Sequence, residues 1–292
     1  MKKILSLEGG GCRGIMILAM MQELFGKDFK PKDHYDLIAG TSVGALIAGC
    51  YAKGYTVGDV MGFFDEWLPK IFSRSWLFWK SKYSDDGVNE FLKEKIENYE
   101  FSQIDVDLII TAYSTGIDKG IYFKTSTPSL IHLKLRDAMR ASMAAPTYFP
   151  AWQIDINGRD IYVDGGLTGN NDPSSVAFTE AIKFLRWKKD KIKMDSFGCG
   201  WYEKKKKPGF PLWIVSRVER IINAFMKTAT DNVEQAMKAN CEIMSNFSYM
   251  RYNPQIQKDY ELDDLSEVSE MKKIAVEYIR NLKNKTMDKH KF

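Results

Sequence analysis

Residues 36–44 of the chain read DLIAGTSVG, a short apolar run that ends in the pattern G-x-S-x-G. The run Tyr35–Ala39 predicts a buried strand. The small residues of Val43–Gly54 predict a closely packed helix directly after it. A serine between two glycines at such a strand-to-helix turn is typical of a nucleophile elbow.

The serine of this turn is Ser42, with Gly40 and Gly44 two residues to either side. Glycines prevent clashes in so tight a corner because they carry no Cβ atom. The following helix adds a favourable potential for a developing alkoxide. Ser42 is therefore the candidate nucleophile, and Gly40 and Gly44 are the candidate elbow glycines.

A second glycine cluster follows the predicted first strand, Ile4–Leu7, and opens the predicted helix Gly14–Phe25. Its residues are Gly9, Gly10, Gly11, Cys12, Arg13 and Gly14. Backbone N–H groups at the start of a helix attract negative charge, either a phosphate or a reaction oxyanion. The pattern G-x-G-x-x-G alone also fits a dinucleotide-binding turn.

A third motif, Asp164 followed by Gly165 and Gly166, comes directly after the predicted strand Asp160–Val163. A carboxylate at the end of a strand can reach a neighbouring strand end. There it could accept the proton of Ser42 as a general base.

The histidines favour a carboxylate as the base. The chain has His34, His132 and His290. A Ser-His-Asp triad of α/β-hydrolase order needs a histidine after the acid, which leaves His290 in a lysine-rich tail. Asp164 is therefore the better candidate.

The order of predicted elements favours one α/β domain. Strand, helix, strand, helix and strand follow one another, which implies a mainly parallel sheet covered on both faces. We expect one domain over residues 1–292, with the motifs within 1–175 and a helical part at about 212–292. Further strands are predicted at Asp105–Thr111, Gly120–Lys124, Ile154–Ile156 and Met194–Cys199, and further helices at Leu135–Ser142, Leu212–Met244 and Ser266–Leu282.

Composition excludes several classes. The 292 residues are 45% hydrophobic and 27% charged, as in ordinary globular proteins, and the net charge of +4 is too small to require a nucleic acid partner. The four cysteines form no CxxC pair, and no acidic cluster resembles a calcium loop. We therefore expect no metal and no cofactor. Ile4–Leu7 is too short for a secretory hydrophobic region, so a cytoplasmic location is expected.

Together the motifs resemble the patatin-like phospholipase family. The segments that carry the resemblance are LSLEGGGCRG (5–14), DLIAGTSVG (36–44), AMRASMAAPTYFP (138–150), VDGGLTGNNDP (163–173), FGCGW (197–201) and YMRYNP (249–254). One departure is Glu8, where many relatives carry Asp.

The resemblance implies a three-layer α/β sandwich that hydrolyses lipid acyl esters, with phospholipid as the partner. It implies a dyad of Ser42 and Asp164, an acyl-enzyme intermediate and an oxyanion hole formed by Gly9–Gly14. Relatives of this kind include bacterial effectors that cyclic nucleotides switch on.

Two segments favour peripheral contact with a membrane. Ile71–Lys80 combines tryptophans with flanking cations, and residues 183–207 hold ten Lys or Arg against three Asp or Glu. Aromatic runs are also typical of a core, and lysine runs of a solvated face.

Three other functions stay open. A soluble carboxylesterase or thioesterase would use the same dyad. A dinucleotide-dependent oxidoreductase needs an acidic residue at the end of the second strand, where the chain instead has Gly40-Thr41-Ser42. A non-catalytic lipid-binding module would not need both Ser42 and Asp164.

Overall fold

The structure is a computed structural model that describes residues 1–73, 81–156, 158–203 and 214–289. Most of the aromatic segment 71–80, the lysine run 204–207 and His290 lie outside the described residues.

The described residues form ten strands and eight α-helices, joined by short 3₁₀ and π segments. The strands are β1 Lys2–Leu7, β2 Leu37–Gly40, β3 Asp107–Ser114, β4 Lys119–Lys124, β5 Trp152–Asp155, β6 Arg159–Asp164, β7 Ile192–Phe197, β8 Trp201–Tyr202, β9 Phe247–Tyr252 and β10 Gln255–Ile256. The helices are α1 Gly14–Phe25, α2 Val43–Lys53, α3 Val57–Ile71, α4 Asp86–Phe91, α5 Leu135–Ser142, α6 Ser174–Thr179, α7 Ile214–Ile243 and α8 Val268–Lys289.

Eight strands form one sheet in the order β5-β6-β3-β2-β1-β7-β9, with β4 also paired to β3. Five neighbouring strands, β3, β2, β1, β7 and β9, run parallel to one another. The strands β4, β5 and β6 pair antiparallel. This sheet confirms the predicted α/β class with a mainly parallel sheet. The strands β8 and β10 form a separate two-stranded sheet.

Alternate residues of the strands enter two different hydrophobic clusters. Leu5 of β1 belongs to a cluster that includes residues of α1, α2, α3, α5 and α8. Its neighbour Ile4 belongs to a second cluster with Ala177 of α6 and Met237 of α7. Since successive side chains of a strand point to opposite faces, helices cover both faces of the sheet.

Local sequence patterns predicted α1 and α5 with the observed bounds. The part at about 212–292 was predicted to be helical. In the structure, β9 lies between α7 and α8 and extends the sheet next to β7. The residues of β7 that pair with β9 lie 55 positions earlier in the chain, so no local pattern predicts the pairing. The helix α3 was not predicted, although it begins with a capping box of Thr56 and Asp59.

Candidate active site

The ends of β2 and β6 meet on one edge of β3. Ile110 of β3 pairs with Gly40 at the end of β2 and, on its other edge, with β4. Two residues further along, Ala112 pairs with Asp164 at the end of β6 and also with β4. The strands β2 and β6 therefore share the edge of β3 opposite β4 and run toward each other. Ser42, two residues beyond Gly40, is thereby brought next to Asp164.

The elbow at Ser42 is a strained turn that requires its two glycines. Ser42 has φ 54° and ψ −124°, values that are uncommon for a residue with a side chain. A Cβ on Gly44 would lie 2.1 Å from the carbonyl oxygen of Leu7, and one on Gly40 would lie 2.3 Å from that of Gly44. The N–H of Ser42 donates to Ser142 Oγ at 2.9 Å, which holds the turn against α5.

The carboxylate of Asp164 is almost fully buried, with 4% of the residue exposed. Burial raises the pKa of Asp164 to about 6, although the hydroxyl of Ser42 and the N–H of Gly166 both act to lower it. Gly166 donates to Asp164 Oδ1 at 2.7 Å. A carboxylate with a pKa near 6 is ionised at neutral pH but is more basic than a carboxylate in water. It can therefore accept a proton from Ser42.

Most N–H groups of the glycine loop Gly9–Gly14 are already bonded. The N–H of Gly9 donates to Asn171 O at 3.1 Å, and that of Cys12 donates to Leu262 O at 2.7 Å. Those of Arg13 and Gly14 close the short 3₁₀ turn. These four residues, which the sequence included in the predicted oxyanion hole, therefore offer no free backbone N–H in this conformation.

Three backbone N–H groups around Ser42 have no hydrogen-bond partner among the described residues: those of Gly10, Gly11 and Val43. All three residues line the same cavity as Ser42. Val43 lies outside the predicted oxyanion loop, although the residue after the nucleophile of an elbow is a usual oxyanion donor. Gly11 has φ +58°, and a Cβ there would lie 2.2 Å from Leu262 O.

The side chain of Arg13, a residue of the predicted oxyanion loop, donates from Nε to Gly10 O at 3.4 Å. Cys12 is fully buried, and burial raises the pKa of its thiol to about 12, so it is protonated and packed.

An apolar cavity opens beside Ser42 and Asp164, and both residues line it. No sequence motif marks this cavity, because its wall comes from α2, α3, α4 and the segment 143–149. Its apolar wall includes Leu46, Phe64, Trp67, Leu68, Phe91 and Phe149. The apolar side chains of this wall suit an acyl chain.

The described histidines lie away from this site. The ring of His34 stacks on Phe29 with 4.3 Å between ring centroids. The side chain of His132 is 81% exposed and pairs with Glu100. Neither histidine lines the cavity.

No group of three or more His, Cys, Asp or Glu in the described part of the chain could hold a metal ion. Over the same residues, no helix is long and apolar enough to cross a membrane.

A serine elbow beside a buried aspartate, on an α/β sheet, defines a class of serine-dependent acyl hydrolases. The chain belongs to the patatin-like phospholipase family, whose family model matches residues 5–178. This match confirms the resemblance that the motifs indicated. The relatives of the chain are phospholipases and patatins.

Two relatives and one solved structure show the extent of the similarity. A cGAMP-activated phospholipase of Pseudomonas aeruginosa is 33% identical over 205 residues, which are 65% of this chain and 59% of the relative. Patatin-T5 of Solanum tuberosum is 27% identical over 211 residues, 64% of this chain and 54% of the relative. The chain thus spans less than two thirds of the length of these relatives. VipD from Legionella pneumophila shares the fold, with a TM-score of 0.52 and 12% identity over 96% of this chain and 66% of that chain.

Proposed function

We propose that the protein hydrolyses the carboxylic esters of membrane lipids through a dyad of Ser42 and Asp164. The observation that carries this proposal is the meeting of the strained Ser42 with the buried Asp164 at the mouth of an apolar cavity. Membership of the patatin-like phospholipase family supports the same reaction.

In the first half of the reaction, Asp164 accepts the proton of Ser42 while Oγ forms a bond to the ester carbonyl carbon. The N–H groups of Gly10, Gly11 and Val43 hold the oxyanion that forms. Each such donor typically lowers the barrier by roughly 3–4 kcal/mol. The bond from carbon to the alcohol oxygen then breaks, and the lysolipid leaves with the proton from Asp164.

In the second half, water attacks the acyl-enzyme and gives its proton to Asp164. The bond between the acyl carbon and Ser42 Oγ breaks, the fatty acid leaves, and the proton returns to Ser42. Burial suits Asp164 to this exchange, because a pKa of about 6 lies close to neutral pH.

The apolar cavity beside Ser42 is an argument for an acyl lipid as the substrate. Ile222 and Met226 of α7 line it, and Phe225 between them is 48% exposed. We propose that this turn of α7 contacts the membrane surface from which the acyl chain enters, and that the protein acts from the cytoplasm. Phe225→Ser should reduce co-sedimentation with phospholipid vesicles without changing hydrolysis of a short soluble ester.

The test is fatty-acid release from mixed phospholipid vesicles by wild type, Ser42→Ala and Asp164→Asn, each checked for folding by its melting curve. Release by wild type alone is the expected result. Activity that survives in folded Asp164→Asn would contradict the dyad. Cleavage of short soluble esters without any release from vesicles would favour the alternative, a soluble carboxylesterase or thioesterase.

The relatives named cGAMP-activated phospholipases suggest that a cyclic dinucleotide regulates this chain as well. The same vesicle assay should then show faster release when cGAMP is added. Equal rates with and without cGAMP would remove this regulation and leave the hydrolase proposal intact.

A further inference from the structure

An arginine from the edge strand β9 lies buried behind the glycine loop. Arg251 belongs to a part of the chain outside the family match at 5–178. Its side chain is 4% exposed and forms ion pairs with Glu8 and Asp172, the latter with 3.0 Å between Nη1 and Oδ2. Nη1 also donates to Ser196 Oγ at 2.8 Å.

The two carboxylates belong to the two segments that frame the candidate active site. Glu8 directly precedes the glycine loop, whereas Asp172 follows the Asp164 motif. Between them, Asn171 Nδ2 donates to Glu8 Oε1 at 3.1 Å and to Gly9 O at 3.2 Å. The N–H of Gly9 returns a bond to Asn171 O at 3.1 Å. One guanidinium thus connects both segments through charged, buried contacts.

We propose that Arg251 is a positioning residue for the oxyanion donors, acting through Glu8 and Asn171. This inference rests on the proposed hydrolase function. The loop needs outside support, because the glycines Gly9, Gly10 and Gly11 have no side chains with which to hold their own backbone. A fixed Gly9 sets the direction in which the next two N–H groups point.

The chemistry of arginine suits this task. A planar guanidinium presents several donors in a rigid fork and can bond two carboxylates at once, whereas a lysine ammonium is a single point of charge on a flexible stem. Misplacement of a reacting group by about 1 Å can cost a hundredfold in rate. The effect of losing Arg251 should therefore appear in kcat more than in KM.

The test compares four purified variants of the full chain with wild type. Arg251→Met removes the charge, and Arg251→Lys restores it without the fork. Asn171→Leu removes both amide N–H bonds without leaving a buried charge, so it serves if Arg251→Met does not fold. The control is Tyr35→Phe, which removes a buried hydrogen bond of 3.0 Å to Asp195 on β7, away from the loop.

Two readouts separate positioning from stability: kcat and KM for a soluble ester, and the rate at which a fluorophosphonate labels Ser42. Arg251→Met and Asn171→Leu should lose about 10- to 100-fold in both kcat and labelling rate, with KM changed less than twofold. Arg251→Lys should recover part of the loss. Tyr35→Phe should lower the melting temperature and leave kcat unchanged.

Folded Arg251→Met or Asn171→Leu with kcat and labelling within twofold of wild type would overturn the inference. The same result with only a lower melting temperature would assign these residues to the fold alone. If wild type itself is not labelled at Ser42, the proposed nucleophile is wrong and this inference fails with it.

Discussion

Replacement of Asp164 by Asn should strongly reduce the rate of hydrolysis and at the same time stabilise the protein. The amide keeps the shape of the carboxylate, and its Oδ1 can still accept the N–H of Gly166, now 2.7 Å away. An amide does not accept a proton, so we expect kcat to fall by about 10²- to 10⁴-fold. The gain in stability arises because wild type buries a charge that the variant lacks.

The size and the pH dependence of this gain follow from the pKa of Asp164. Burial raises this pKa from 3.8 in the unfolded chain to about 6 in the native state. Between pH 3.8 and pH 6, the native state therefore holds a proton that the unfolded chain has released. Wild-type stability therefore falls as pH rises through this window, while the Asn variant is unaffected. By linkage, the variant should be more stable by about 1 kcal/mol at pH 4.5 and about 3 kcal/mol at pH 8.

Urea denaturation at both pH values measures this difference. A matched control lies on the same strand: burial acts to raise the pKa of Asp160, but hydrogen bonds from Ser114 and the Ile161 N–H outweigh it and lower that pKa. Asp160→Asn should therefore lose stability relative to wild type at pH 8, the opposite sign. An Asp164→Asn variant no more stable at pH 8 than wild type, or with the same gain at both values, would refute the reasoning.

Three further predictions concern the site and its support. The rate of ester hydrolysis should rise with pH and level off above an apparent pKa of about 6, because Asp164 must be ionised to act as base. A rate that does not change between pH 5 and pH 8 would exclude Asp164 as the base. Gly44→Ala should lower the free energy of unfolding, measured by urea denaturation, by about 1–3 kcal/mol or more, because its Cβ would lie 2.1 Å from Leu7 O. The control Gly62→Ala has open space around its Cβ and should raise the free energy of unfolding by up to about 1 kcal/mol. Leu68→Trp should narrow the cavity and lower kcat/KM for esters of long acyl chains more than for short ones, and an equal loss across chain lengths would place the acyl chain elsewhere.

Local sequence was enough to predict the strand–turn–helix units of the site. The elbow at Ser42 and the glycine loop are each built from consecutive residues, and the steric needs of a tight turn select glycine at Gly40 and Gly44 whatever surrounds them. The helices α1 and α5 were predicted with their observed bounds for the same reason, since helical periodicity and its stop signals are local.

Pairing across the sheet decided what those units do together. Asp164 reaches Ser42 because β2 and β6 meet end to end on one edge of β3, a register that no single segment encodes. The carbonyl oxygens of Asn171 and Leu262 accept hydrogen bonds from Gly9 and Cys12 of the glycine loop, and this decided which of its N–H groups remain free.

The division between sequence and tertiary structure follows from the range of the forces involved. The types of residue at the turns determined which groups can react, because backbone sterics act over a few neighbouring residues. The apolar cavity, the raised pKa of Asp164 and the ion pairs of Arg251 come from packing segments that lie far apart in the chain. Burial and charge pairing exist only once those segments are brought together, so only the tertiary structure could decide them.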